Sequence, residues 1–150
     1  MSSSTNNLSF IEDAEVLYRA VRNDERFVPF DGEGNRRVSS MAFNDAGRRP
    51  SVDRAILCVG GPAETRDRFS AGSGVVSMVA GDIRKLAATH GTSGETYGVD
   101  VEAVPLLDNP AHAEIFGRPP FDTDRLFEWI KQSLARIASV TLLPECVSPT

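Results

Sequence analysis

Arg19 is the first residue of the chain whose type and position indicate chemistry. The stretch Glu15–Val21 predicts a strand with apolar residues on both faces, which is typical of a buried position. Burying an unpaired charge is costly, so Arg19 needs an acidic partner, an exit at the edge of a sheet, or a ligand. As a ligand contact, its guanidinium would grip a phosphate or a carboxylate.

His112 is the histidine whose local context best suits catalysis. Asn109 is a typical helix N-cap and Pro110 suits the first helical position, so the sequence predicts a short helix with His112 in its first turn. The positive end of a helix dipole disfavours the imidazolium ion there. A neutral His112 can act as a general base or donate to a ligand, and it can equally join Asn109 in a local surface network.

Three serines are candidates for orienting a ligand. Ser39 and Ser40 lie midway in the predicted strand Arg37–Phe43, where adjacent side chains point to opposite faces, so one of them faces inwards unless the strand is at an edge. Its hydroxyl can orient a ligand or close an internal hydrogen bond. Neither serine lies in a Gly-x-Ser-x-Gly elbow, so a serine hydrolase has no support there. Ser51 can cap a turn, and as a nucleophile it would need a histidine nearby in space.

The elements that must position these residues mix strands and helices without regular alternation. Strands are predicted at 15–21, 37–43, 75–80 and 97–104, helices at 83–90, from 110 and at 123–139, an exposed connection at 63–74, and either a strand or a short helix at 51–59. This mixture predicts an α+β fold with a small, mostly antiparallel sheet, on which the amphipathic C-terminal helix packs.

Length and composition predict one domain. Residues 1–9 are expected to form a disordered N-terminal tail, 10–140 the α+β domain and 141–150 a C-terminal tail. The N-terminus lacks the features of a signal peptide and no apolar run is long enough to span a membrane, so we expect a cytoplasmic protein without a membrane partner. Two cysteines and two histidines predict neither a disulfide framework nor a zinc site, so no metal is expected.

The charge of the chain limits the classes of partner that it is expected to bind. The net charge of −5 argues against nonspecific binding to nucleic acid. Positive charge is nevertheless concentrated at residues 36–54, which carry five arginines and two aspartates, and the whole chain has 14 arginines but two lysines. This pattern fits either a general preference for arginine or a local patch that binds phosphate.

The order of these motifs resembles a family of small, functionally uncharacterised bacterial proteins. The resemblance covers roughly residues 16–116 and rests on Tyr18-Arg19, Ser39–Phe43, Ser51–Asp53 and Asn109–Ala113. The family has no assigned activity, so this resemblance implies a relationship without a function.

A more distant resemblance is to the ADP-ribosyltransferase superfamily, including the RES-domain toxins that consume NAD. It implies that Arg19 holds a cofactor phosphate and that Ser39 or Ser40 belongs to the serine-containing strand. The Gln-x-Glu, Glu-x-Glu and Gly-Gly-Arg motifs of that superfamily are not found, so the catalytic step would fall to His112.

Together these features predict a polar cleft that binds a phosphate-bearing small molecule. Arg19 would hold phosphate, Ser39, Ser40 and Ser51 would position a ribose, and His112 would be the base or orienting group. NAD, as a substrate, or another nucleotide is the expected ligand, with ribosyl transfer or NAD glycohydrolysis as the reaction. The alternative is a non-catalytic interaction module, such as an operon partner, an adaptor or an immunity protein. A metal-independent ribonuclease is a third interpretation, which the net charge disfavours.

Overall fold

In the computed structural model, described for residues 9–30, 33–45, 47–89 and 96–144, seven strands form one antiparallel sheet. The strands are β1 (Val16–Val21), β2 (Ser51–Arg54), β3 (Gly74–Val79), β4 (Ala87–Thr89), β5 (Thr96–Ala103), β6 (His112–Arg118) and β7 (Ser139–Leu142), and the helices are α1 (Pro62–Phe69), α2 (Ala80–Arg84) and α3 (Asp124–Ile137). The order across the sheet is β4-β5-β6-β2-β1-β3-β7. The predicted α+β class is confirmed.

The main core lies between the sheet and α3. The helix contributes an apolar stripe to the same buried cluster as Leu17 of β1 and Ile115 of β6, and this stripe consists of Leu126, Phe127, Ile130 and Leu134. Thr123 caps the helix, because its hydroxyl accepts a hydrogen bond of 3.1 Å from the backbone N–H of Leu126. The prediction of a C-terminal amphipathic helix packed on the sheet is therefore confirmed.

Helix α1 contacts β1 and β3. The prediction of an exposed connection at 63–74 is therefore wrong, because most of this segment is helical. Pro62 occupies its first turn, and Glu64 pairs with Arg68 one turn later at 2.8 Å. The helix carries few apolar residues, so it lacks the periodic stripe by which a helix is recognised in a sequence.

The predicted strand at 37–43 is wrong. Residues Ser40–Phe43 form a 3₁₀ turn, and the hydroxyl of Ser39 caps it by accepting a hydrogen bond of 3.2 Å from the backbone N–H of Met41. Ala42 and Phe43 are buried beneath it. Serine competes well for such local backbone hydrogen bonds, which explains why the pair ends extended structure here.

The predicted helix around His112 is also wrong. Asn109 and Pro110 form a tight turn, and the chain continues into the strand β6. Along this strand Ala113 and Ile115 are buried while His112 is only half-buried, which is the alternation of a sheet. Asn-Pro favours the start of a turn as well as the start of a helix, so the local sequence does not discriminate between them.

Two further boundaries differ from the predictions. Helix α2 ends at Arg84, and β4 takes up part of the predicted helix at 83–90, whose last residue lies outside the described part of the chain. The strand β7 pairs with β3 through Leu142, so the sheet extends past the predicted domain boundary at 140. Of the predicted tails 1–9 and 141–150, residues 1–8 and 145–150 lie outside the described part of the chain. None of the helices within the described ranges is long and apolar enough to cross a membrane.

Candidate functional site

A cleft of about 570 Å³ opens where the two central strands β1 and β2 separate. The strands share only two register positions, Leu17 with Arg54 and Tyr18 with Asp53. Beyond them, the end of β1 continues along β3 while β2 continues along β6. The gap between the strands therefore exposes side chains from both faces of the sheet.

Three of the five predicted site residues line this cleft. They are Arg19, Ser51 and His112, which come from β1, β2 and β6 respectively. The neighbouring strands bring them together, since Asp53 of β2 is paired with both Tyr18 of β1 and His112 of β6.

Arg19 lies beside the gap, and most of its N–H groups donate hydrogen bonds within the protein. Its guanidinium forms an ion pair of 2.7 Å with Asp45, and it donates hydrogen bonds of 2.7 Å to the backbone oxygens of Ala42 and Ser51. The side chain is 12% exposed. The sequence left three alternatives for Arg19, namely an acidic partner, an exit at a sheet edge or a ligand, and the structure shows the acidic partner. The hydrogen bond to the Ser51 oxygen also links β1 to β2 across the gap.

Ser51 and His112 form a hydrogen-bonded pair beside Arg19. The Oγ of Ser51 lies 3.2 Å from Nε2 of His112, and Nδ1 of His112 lies 2.8 Å from the backbone oxygen of Val104. A carbonyl oxygen only accepts, so Nδ1 carries the proton. In the neutral imidazole Nε2 is then bare and accepts a hydrogen bond from the Ser51 hydroxyl.

Asp53 is a buried carboxylate that organises the wall of the cleft. It is 9% exposed and accepts hydrogen bonds from Thr65 at 2.8 Å, from Asn109 at 2.8 Å and from Arg68 at 2.5 Å. Burial opposes the charge of Arg68, but the negative charge of Asp53, acting together with Cys58 and Glu64, outweighs it and raises the pKa of that guanidinium. Because Asn109 begins the turn that leads into His112, Asp53 also fixes the position of the histidine.

Arg22 is the cation of the cleft that has no ion pair with any described residue. Its guanidinium lies 5.7 Å from the ring centre of Phe69, which is 48% exposed. The cleft is lined by three arginines and two aspartates, so its formal charge is 3 − 2 = +1, whereas the chain as a whole carries −5. An anionic ligand would therefore be attracted to this part of the surface.

Apolar side chains complete the cleft. Phe27, Met41 and Phe69 contribute surface to its walls, and Met41 is 43% exposed. Pockets for small molecules commonly combine such walls with a few polar groups that fix the orientation of the ligand. The arrangement is suited to a ligand with one flat ring and one anionic group.

Ser39 and Ser40 do not line the cleft. Both are half-buried, and Ser39 uses its hydroxyl to cap the 3₁₀ turn. The structure therefore does not bring them together with Arg19, Ser51 and His112. The reason is the 3₁₀ turn, which replaces the predicted strand along which one of the two hydroxyls was expected to face inwards.

Sequence reasoning missed Arg22, Asp53 and Asn109 as residues of the site. Alternation along β2 places Asp53 on the same face as Ser51, which is a signal that the sequence does contain. Arg22 and Asn109 carry no such signal, since their contribution depends on the separation of β1 from β2.

The donor atoms of the cleft suit organic ligands better than metals. Within the described ranges, no group of three or more histidine, cysteine, aspartate or glutamate side chains could hold a metal ion. The cleft instead presents hydroxyls, an imidazole, two amides and guanidinium groups, which are groups that can hydrogen-bond to ribose and phosphate.

Comparison with protein-family models, with curated proteins and with solved structures returns no match.

Proposed function

We propose that the cleft binds a phosphate-bearing small molecule of the nucleotide class, with NAD as the first candidate. The observation that carries this proposal is the convergence of Arg19, Ser51 and His112, which are separated by tens of residues in the chain, in one cleft of positive charge. Had Arg19 and His112 lain on opposite sides of the molecule, the proposal would have no basis.

Arg22 is the phosphate ligand in this proposal. Arg19 already donates to Asp45 and to two backbone oxygens, so it contributes positive charge rather than a free fork of donors. The guanidinium of Arg22 is held against Phe69 and has its N–H groups available for two parallel hydrogen bonds to phosphate oxygens.

The size and chemistry of the cleft support a nucleotide. Its volume of about 570 Å³ lies within the range of roughly 300–1,000 Å³ that is usual for small-molecule sites. Phe69 and Met41 provide surface for a flat ring, and the Ser51–His112 pair provides polar atoms for a ribose. NAD is placed first because the resemblance to ADP-ribosyltransferases implies it, together with ribosyl transfer or glycohydrolysis as the reaction.

Thermal unfolding with and without NAD, ADP-ribose or AMP tests the proposal. At a concentration 100 times Kd a ligand stabilises the folded chain by about 2.7 kcal/mol, which corresponds to a rise in Tm of roughly 5–10 °C. We expect Arg22→Gln to abolish most of this rise. Arg37→Gln is the matched control, because Arg37 is an exposed arginine that does not line the cleft. An unchanged Tm with all three compounds would rule the proposal out.

A non-catalytic interaction module is the second candidate. It is favoured by large apolar side chains that are exposed just after the C-terminal end of β2 and between β5 and β6, namely Ile56, Val59, Leu106 and Leu107. The structural engagement of Arg19 agrees with it as well. If the protein is an interaction module, adding a nucleotide will not change its Tm. The substitution Arg22→Gln will then make no difference to the Tm measured with the nucleotide.

A further inference from the structure

We propose that Ser51 is a nucleophile activated by His112 and that it accepts a phosphoryl or nucleotidyl group from a phosphoester or phosphoanhydride bound in the cleft. This rests on the proposed function, since the nucleotide supplies the phosphoester or phosphoanhydride. It goes beyond that function because it assigns a covalent step to Ser51, which the proposed function uses only to orient the ligand.

The geometry of the pair is that of a base-activated hydroxyl. Ser51 Oγ is 3.2 Å from His112 Nε2, and the hydrogen bond from Nδ1 to the oxygen of Val104 at 2.8 Å sets the tautomer that leaves Nε2 free to take a proton. A nucleophile within hydrogen-bond reach of a base, with the base oriented by a third group, is the recurrent arrangement of covalent catalysis. Both side chains line the cleft and are accessible to a ligand there.

The charges in the cleft favour phosphorus as the electrophile. Attack at the ribose carbon of NAD would benefit from an available carboxylate to stabilise the positive charge that develops. The two carboxylates of the cleft, Asp45 and Asp53, are instead neutralised by Arg19 and Arg68. Arg22 remains available to neutralise the phosphate oxygens, which is the stabilisation that phosphoryl transfer requires.

Ser51, His112 and water account for every bond and proton of the reaction. Oγ of Ser51 bonds to phosphorus, the bond from phosphorus to the leaving oxygen breaks, and the hydroxyl proton passes to Nε2 of His112 and then to the leaving group. Water, deprotonated by the same nitrogen, then bonds to this phosphorus, the bond from phosphorus to Oγ breaks, and the proton on Nε2 passes to Oγ. This releases phosphate, or a nucleoside monophosphate when the substrate is NAD, and restores Ser51. The reaction needs no oxidant or reductant.

A fluorophosphonate probe and NAD test the pair on the full chain by intact-mass measurement and peptide mapping. The probe forms the same bond from phosphorus to serine oxygen and releases fluoride. We expect one adduct at Ser51, no adduct with Ser51→Ala, and labelling roughly 100-fold slower with His112→Gln. Ser77→Ala, in β3 and outside the cleft lining, is the matched control and should label at the wild-type rate.

The outcomes separate this inference from the proposed function. If NAD raises Tm but Ser51 takes no label, the nucleophile is overturned and the proposed function stands. If Ser51 is labelled but no nucleotide binds, the activated pair is supported and the nucleotide proposal fails. If incubation with NAD adds ADP-ribose instead of a nucleotidyl group at Ser51, attack occurs at carbon and the assignment to phosphorus is overturned. A wild-type circular dichroism spectrum and a cooperative thermal transition of His112→Gln verify that this variant folds.

Discussion

Asp45 accepts two hydrogen bonds from the guanidinium of Arg19, at 2.7 and 3.3 Å, and a third, of 2.8 Å, reaches it from the backbone N–H of Ser51. The carboxylate therefore joins Arg19, in the second half of β1, to the first residue of β2 at the place where the two strands have stopped pairing. This contact holds the cleft open in one geometry, since it replaces the ladder bonds that the separated strands lack.

Replacing Arg19 with alanine should destabilise the protein by about 2 kcal/mol, because Asp45 and two backbone oxygens lose charged donors. The matched control is Arg26→Ala, which removes an exposed pair with Asp24 and should leave stability unchanged. Urea unfolding gives both values. A double-mutant cycle with Asp45→Ala should show coupling between the two residues, and additive effects would contradict the structural role.

Asp53→Ala should cost about 3 kcal/mol, because it leaves the donors of Thr65, Arg68 and Asn109 without their acceptor in a largely buried place. Asp67→Ala, which removes an exposed carboxylate from α1, should have little effect on the same measurement. Amide exchange should also become faster at Ala111 and His112, because the turn that begins at Asn109 loses its anchor. Wild-type exchange there would show that Asp53 does not position the histidine.

The tautomer of His112 can be observed directly. Nitrogen NMR of the imidazole at a pH where it is neutral should show a protonated Nδ1 and a bare Nε2, as the contact with the Val104 oxygen requires. Ser51→Ala should shift the Nε2 resonance, since that nitrogen loses its donor, and leave Nδ1 almost unchanged. A protonated Nε2 in the wild-type protein would refute the activated pair.

The ionisation of Asp100 should make the free energy of unfolding depend on pH. Burial opposes its ionisation, but hydrogen bonds from Arg84, from the backbone N–H of Val101 and from Arg118 outweigh it and hold the pKa of this carboxyl below its usual value of 3.8. Its contribution is therefore complete above the pKa of the unfolded chain and is lost as the pH falls through the lower pKa of the folded state.

The test for Asp100 compares the free energy of unfolding of wild type and Asp100→Asn from neutral pH down to about pH 3. We expect the variant to be less stable at neutral pH and to approach the wild type in acid, since protonation removes the same charge from the wild-type protein. Two curves that stay parallel over the whole range would show that Asp100 contributes no such dependence.

The sequence by itself determined those features that depend on local or periodic information. The apolar stripe of α3 defines one face of a helix, and the sequence offers Asp122 or Thr123 as its cap, of which the structure selects Thr123. Arg19 interrupts an apolar strand, so the need for a partner or a ligand follows from the cost of burying its charge. Both conclusions survive in the folded protein, although the sequence could not show that Asp45 is the partner.

The pairing of strands, by contrast, was decided only by the tertiary structure. Asn109-Pro110 is compatible with a helix or a turn, and hydrogen bonds from β5 and β2 on either side select the strand that contains His112. Ser51 and His112 are 61 residues apart, and neither residue carries a local signal of the other. Their contact follows from the register that pairs Asp53 with His112 and from the early separation of β1 from β2. A register is fixed by the burial of whole strand faces, so the candidate site is a property of the complete sheet.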